Sequence, residues 1–580
     1  MSISKKILAA ALAMSVVGVS AGITAAAAGF WNDVTVKTTD STVSAEWESW
    51  KTEWETVKNN HEQISLTPGV DATQLNFGWY SKTSDNAKVR ISKSSDMSNA
   101  TEYAGTSVDS KVIDGQTYYS NKVTATDLEE NTTYYYQYLL NGVWSNAEKY
   151  TTKGTKNFSV FYMGDPQIGA SVGQTPSTST EALTAELAAR NDSFNWNKTL
   201  EAATEKFPDV SFLLSAGDQI NQPSDDLQQA YEYAGYLNAD ALKSLPVATT
   251  IGNHDSYSDN YKNHFNNPNV FTEETTPTDA GNGYYFTYGD VLFMVINTNN
   301  YNCADHEALI SKATSENPDA TWRIVMFHQD IYGSGYNHSE SDGMVLRTQL
   351  TPIIDKYDID VVLQGHDHTY SRTYQLTGDG KEHTAYTQGA GTWTDPEYFN
   401  QNLCYNIVDK TLGTVTDPEG TVYMEANSAT GSKYYLLSEQ QRDYIVARSQ
   451  TWTPSYSVID FTTADDGSST SFTINTYDVN TGVKIDEPYT IIKTLEVPEE
   501  PSEEPSEEPS EEPSEEPSEE PSEQPSQTPS TDTNNTDNNG KGDSNNTVNT
   551  GDTDIVFFVA IAVLASGVIS VLLFKKKKEA

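Results

Sequence analysis

The chain has 580 residues, 36 % of them apolar, which is enough for two or three domains and a large buried core. A formal net charge of −46 sets it against polyanionic partners, so no nucleic-acid polymer is expected as a ligand. Only Cys303 and Cys404 occur, which excludes a disulfide framework and leaves one bridge open.

The first 28 residues combine Lys5 and Lys6, an apolar run from Ile7 to Val19 and the small residues Ala25 to Ala28, the pattern of a cleaved secretory signal. A helical segment is expected within 29–61, because Trp47, Trp50, Trp54 and Val57 recur at helical spacing among charged residues and form one face for burial. From residue 62 to 153 the pattern becomes short alternating runs (74–80, 87–92, 118–123 and 133–139) separated by turn residues, which predicts a small all-β sandwich.

After Lys153 the rhythm is strand, loop, helix, and a catalytic domain is expected over 154–497. Apolar strands are predicted at 158–163, 210–215, just before Gly252, at 322–327 and at 359–363, with helices over 196–206 and 227–242. Each strand delivers polar residues at its C-terminal end: Gly164-Asp165, Gly217-Asp218, Gly252-Asn253-His254-Asp255, His328, and Gly365-His366-Asp367-His368. Active sites of α/β sheets collect at such ends. Singly, a Gly-Asp pair reads as a turn and a lone histidine as a structural hydrogen-bonder; five in order, each after a strand, read as one constellation.

Beyond the catalytic domain, residues 499–523 repeat Pro-Ser-Glu-Glu with 13 glutamates and no basic residue. With nothing apolar to bury, 498–550 is expected to be a disordered stalk. At roughly 3 Å per residue the repeat spans on the order of 80 Å. Residues 551–580 carry an apolar run from Ile555 to Phe574 followed by Lys575 to Lys578, long enough to cross a bilayer. Thr547 to Asp552, with the Thr-Gly pair before that run, resembles a cell-wall sorting signal whose Leu-Pro is replaced by Thr547-Val548. Sortase attachment and a retained transmembrane helix both place the protein outside, anchored to the cell wall or membrane.

The five motifs resemble the calcineurin-like metallophosphoesterases and, within them, the purple acid phosphatases. Leu66-Thr67-Pro68-Gly69, Trp79-Tyr80-Ser81 and Tyr134 to Tyr136 resemble the fibronectin III-like N-terminal domain of that branch. The resemblance implies a four-layer α/β/β/α domain behind an all-β sandwich, with two divalent metal ions (Fe, Zn or Mn) acting on a phosphate ester. It implies that Asp165 and His368 bind the first metal, that Asp218 bridges, and that Asn253, His328 and His366 bind the second, with His254 protonating the leaving group.

The chain departs from the purple pattern at Asn221, where those enzymes carry the tyrosine that gives their colour. Gln167 stands where the wider superfamily places a ligand, and its amide is expected to replace the missing phenolate. His338 in the loop 333–343 reads as a mobile surface residue, and Arg372 as structural. The expected activity is acid phosphatase-like monoester hydrolysis; a phosphodiesterase or nucleotidase on the same site, or a surface adhesin that has lost the reaction, are the alternatives.

Overall fold

The computed structural model describes residues 41–496, apart from 176–179, 337, 340–341 and 384–401. The expected signal, stalk and anchor lie outside the described residues.

Helix α1 (Ser41–Val57) buries Trp47, Trp50, Trp54 and Val57, as their spacing requires. Trp47 packs edge-on against Phe194, with ring centroids 5.1 Å apart, and the Trp50 indole donates to the Arg190 carbonyl at 2.7 Å. The sandwich has one four-stranded sheet of β1 (Ile64–Pro68), β2 (Leu75–Ser81), β5 (Thr106–Ile113) and β6 (Gln116–Ala125). A second sheet of β3 (Lys88–Ser92), β4 (Thr101–Ala104), β7 (Thr133–Leu140), β8 (Val143–Trp144) and β9 (Glu148–Thr151) faces it across Phe77, Trp79, Val89, Ile91 and Tyr136.

The sandwich is fastened to the loop that follows Asn253 and His254. Ser65 Oγ, Thr67 Oγ1 and Ser120 Oγ donate to the carbonyls of His264, Asn266 and Asn263 at 2.5, 2.6 and 2.7 Å.

The catalytic part is built on two stacked seven-stranded mixed sheets. In the first, β10 (Phe158–Met163), β11 (Phe212–Ser215) and β12 (Val247–Thr249) run parallel, so their C-terminal ends share one edge. In the second, β14 (Val291–Val295), β15 (Trp322–Met326), β16 (Val361–Gln364) and β21 (Val422–Glu425) run parallel.

The two-residue period of a strand explains the layering. Val160, Tyr162, Phe212 and Leu214 point into the core between the sheets, against Phe293, Ile324 and Leu363. Phe161, Met163 and Leu213 point outward onto α2 (Ala185–Lys206) and α3 (Asp226–Leu237). On the far side, Leu292, Met294, Val325 and Val362 pack with Leu309, Leu346 and Leu350 from α5 (Cys303–Glu316) and α6 (Asp342–Lys356); the short α4 (Asn260–His264) lies beside β2. The order helix, sheet, sheet, helix is the four-layer arrangement expected.

Two readings need correction, and the open question of the thiols is answered. Helix α2 starts at Ala185, eleven residues before the expected 196, capped by Thr184. Its first half carries Asn191, Asp192, Ser193 and Asn195, which read as loop residues because they are polar, yet all four are buried, Asp192 against the 169–171 turn and Ser193 against Gly235 of α3. The expected helix over 227–242 stops at Leu237 and resumes as a short 3₁₀ turn, Asp240–Lys243. The two thiols stay free and buried, so no bridge forms.

Trp54 is fully buried at the centre of the α1 stripe. Replacing it with alanine is expected to cost about 3–5 kcal/mol, read by equilibrium denaturation. A cost below about 1 kcal/mol, the ordinary range of surface changes, would mean that α1 is a peripheral attachment.

Candidate metal centre

The loops after the parallel strands converge on one buried point. Asp165, Gln167, His328, Asp218, His368 and His366 are 0 to 7 % exposed, while Asn253 and His254 are half-buried. His328 Nε2 lies 2.9 Å from Asn253 Oδ1, 3.1 Å from His366 Nδ1 and 3.4 Å from Asp218 Oδ1.

Each imidazole is oriented by the bond its other nitrogen makes. His328 Nδ1–H donates to the Ala216 carbonyl at 2.9 Å, His366 Nε2–H to Asp342 Oδ2 at 3.1 Å and His368 Nδ1–H to the Lys433 carbonyl at 2.7 Å. The facing nitrogens of His328 and His366 therefore both present lone pairs, alongside two oxygens that do the same. Only a proton or a cation between them resolves that crowding.

A second set adjoins the first. His368 Nε2 is 3.5 Å from Asp165 Oδ1, which is itself 3.9 Å from His328 Nδ1, and Asp165 Oδ2 accepts the His366 amide at 2.9 Å. Asp165 Oδ1 and Gln167 Oε1 are buried with no hydrogen-bond donor. Gln167 Nε2 donates to Asn221 Oδ1 at 3.4 Å, so the two residues expected to act as a pair are neighbours. The unsatisfied oxygens, the paired imidazoles and the carboxylates are a donor set suited to borderline metal ions.

Electrostatics carry the same demand. Burial pushes the Asp165 carboxyl up, with nearby Asp218 adding to the rise. Burial would also raise Asp218, but His328 and then His254 outweigh it and hold that carboxyl below the usual range. Burial works against the His328 imidazolium, yet Asp218 overrides it and lifts the group to about 9. His366, buried and beside His338, is pushed down to about 3.

The backbone is bent to bring these groups together. Asp165, Gln167, Asp218, His366 and His368 all adopt positive φ, between 36° and 74°, a region that non-glycine residues seldom occupy. Gly217 has φ 104°, and a Cβ there would sit 2.4 Å from His328 Nδ1, so only glycine lets the bridge-motif loop pass that ring.

Three buried carboxyls pin the loops from beneath. Asp192 Oδ2 accepts the amides of Gly169 and Ser171 at 2.9 and 3.1 Å. Glu232 Oε2 accepts those of Asn221 and Gln222 at 2.9 and 2.7 Å, and Asp255 Oδ2 those of Gly252 and Gln219 at 3.0 and 3.3 Å. Burial raises the pKa of all three, but each carboxyl is held by two amides of the loop turns.

His254 is set apart from the metal-facing groups. Its amide donates to Asp218 Oδ1 at 2.9 Å and its Nδ1–H to the Asn221 carbonyl, which leaves Nε2 as the free ring nitrogen.

Some residues at the site escaped the sequence reading. His338 is no mobile surface residue: its ring lies 4.0 Å from that of His366, and Asp342 Oδ1 is 3.2 Å from its Nδ1. Burial lowers its basicity, but Asp342 outweighs this and lifts it to about 10. The four-residue spacing of His338 and Asp342 was the available signal. Lys433, lying over the Tyr435 ring at 4.6 Å from the centroid, and Tyr435 itself, 5.4 Å from the His368 ring, come from a stretch with no motif to mark it. Arg372 is structural as read, bonded to Asp486 at 2.9 Å and stacked on Tyr489.

Residues 161–370 match the calcineurin-like phosphoesterase family, 61–152 the purple acid phosphatase N-terminal domain, and 549–580 the LPXTG cell wall anchor motif. A purple acid phosphatase of Glycine max is 23 % identical over 320 residues, covering 52 % of this chain and 58 % of that one. The Fe(3+)-Zn(2+) purple acid phosphatase 12 of Arabidopsis thaliana is 25 % identical over 123 residues, 21 % of each chain. The chain thus spans less than two thirds of either relative. Among solved structures, the purple acid phosphatase of yellow lupin (Lupinus luteus) seeds shares the fold, with a TM-score of 0.51, 15 % identity and 75 % coverage of each chain. Enzymes of these families are dinuclear metal enzymes. With both large sheets, the sandwich and the strand-end motifs in the expected order, residues 161–370 are similar to the calcineurin-like phosphoesterases and residues 61–152 to the purple acid phosphatase N-terminal domain, the pairing found in the lupin enzyme's fold.

Proposed function

We propose that this protein is an extracellular, cell-wall-anchored phosphomonoesterase that uses two divalent metal ions. The observation that carries the reading is the convergence of Asn253, Asp218 and His366 lone pairs on His328 Nε2 at the ends of both sheets. Asp165, Gln167 and His368 would hold one ion and Asn253, His328 and His366 the other, with Asp218 shared between them. When bound, such a pair supplies Lewis acidity toward phosphoryl oxygens and a nucleophile from water. Fe, Zn and Mn all suit this mixed nitrogen and oxygen set. The anchor motif at 549–580 supports the surface location.

The chain's own groups do the rest. His254, its Nδ1–H fixed on the Asn221 carbonyl, presents Nε2 to the leaving oxygen and gives a proton there from its imidazolium form, which burial disfavours and acidic pH restores. His338, kept cationic by Asp342, and the Lys433 ammonium draw a phosphate ester towards the ends of the sheets.

The deciding assay compares a monoester and a diester of one leaving group on pure protein loaded with Mn²⁺, Zn²⁺ or Fe²⁺. Faster monoester hydrolysis is expected; a diester preference would make this a phosphodiesterase, and no turnover with any metal would leave the adhesin. His254→Ala should slow alkyl esters by roughly 10²–10⁴ while sparing esters of acidic phenols, at unchanged metal content. Equal losses on both would reduce His254 to a positioning residue.

Asn221 offers no phenolate, so the loaded enzyme should be colourless in the visible range, and Gln167→Ala should weaken one metal by more than the other in metal titrations. A visible band that disappears on reduction would overturn this and point to Tyr435, the tyrosine beside His368.

A further inference from the structure

Behind the histidines, on the side of the second sheet, lies another group of ligand-type side chains. Asp330, Asp367 and Glu425 each bring one carboxylate oxygen within 4.8 Å of the others. All three residues are 0 % exposed. Both oxygens of Asp330 and Oδ1 of Asp367 are buried with no hydrogen-bond donor. Glu425 is better served, with its Oε2 accepting the Ser334 amide at 2.9 Å and the Ser371 hydroxyl, and Oε1 accepting the Thr369 hydroxyl.

The loop around the cluster is shaped to let these oxygens approach. A Cβ at Gly333 would sit 1.8 Å from Asp330 Oδ2 and 2.9 Å from Glu425 Oε2, and one at Gly335 would sit 2.5 Å from Asp367 Oδ2. The glycines bring backbone up against the cluster, in which both oxygens of Asp330 have no donor while Asp367 Oδ2 accepts the Ser339 amide at 3.4 Å.

From this geometry we infer a third, structural cation site, held by Asp330, Asp367 and Glu425 and selective for Ca²⁺. Unpaired buried carboxylates are costly unless a positive charge joins them. An all-oxygen, all-carboxylate set favours a hard cation over the borderline metals that imidazoles attract. Calcium accepts irregular, many-oxygen shells, whereas magnesium keeps several waters and near-octahedral geometry, which a wholly buried cluster does not allow.

The placement gives the ion a purpose. Asp330 follows His328 by two residues, Asp367 stands between His366 and His368, and Glu425 ends β21 beside β16. One ion therefore ties the two strand-end segments that present the histidines to the end of β21, and fixes their backbone where φ is positive at His366 and His368.

The test uses the full chain already loaded with its transition metals, and counts bound ⁴⁵Ca²⁺ per chain by equilibrium dialysis. Any binding by the glutamates of 499–523 is common to both proteins, so the readout is the difference between the wild type and Asp330→Asn. One tight equivalent in the wild type, weakened at least tenfold in Asp330→Asn, is expected. Should that variant fail to fold, the wild type alone suffices: its thermal midpoint should rise with added Ca²⁺ at fixed transition metal, as binding to the native state requires. No tight equivalent and a flat midpoint would overturn the inference and leave Asp330 and Asp367 sharing a proton, in which case Asp330→Asn should be at least as stable as the wild type. Phosphoesterase activity is scored separately, so failure here leaves the function proposed above standing.

Discussion

A crowd of lone pairs in a dry place is the constraint on which the rest of this structure depends. Asp165, Asp218, His328, His366 and His368 are buried, yet each turns an unshared pair towards the same small volume. Water cannot relieve them, and the carboxylates repel one another while competing for a single histidine proton. The chain keeps them in place with backbone that is itself unfavourable, at positive φ in five of the motif residues. Such an arrangement persists only because the surroundings over-determine it.

That over-determination can be traced outward. Carbonyls of Ala216 and Lys433 and the Asp342 carboxylate set the imidazole tautomers. Asp192, Glu232 and Asp255 take up the amides of the turns that carry Asp165, Asp218 and Asn253. Tyr162 reaches from the first sheet to the second, accepting the Gln364 amide at 2.9 Å just before the His366 loop. Ser428 and Thr430 donate to the carbonyls of Asp165 and Pro166 at 3.1 and 2.7 Å. The sandwich then holds the 253–266 segment from outside through three hydroxyls. No single one of these bonds is strong in net terms, each worth about 1 kcal/mol, but they act on the same few loops.

How much of this could be read from sequence follows from the physics. Strands β10 and β15 were legible because buried parallel strands are short apolar runs, and the motif residues because each follows such a run. The α1 stripe was legible from its tryptophans. The first half of α2 was not, because its buried face is polar: Asp192 serves loop amides, and periodicity detects only apolar faces. His338 and Lys433 were misread or missed for a related reason. Both lie in segments without regular hydrophobic pattern and reach the site by long-range contacts; Lys433 carries no local signal, and His338 only its four-residue spacing to Asp342.

The charge of the whole protein and the charge of the site must be reconciled. At −46 the molecule repels phosphate at a distance, and the 13 glutamates of 499–523 account for only part of that charge. In physiological salt this repulsion fades beyond about 8 Å, so a small ester meets mainly the local field. Two divalent ions would add four positive charges beside the carboxylates of Asp165 and Asp218, and the cations of His338 and Lys433 extend that positive region. A polyanion is in a different position, because its remaining phosphates must lie against the acidic surface while one enters the site. For the function proposed above, electrostatics alone would favour small esters over polymers, before any contact in the loops selects among them.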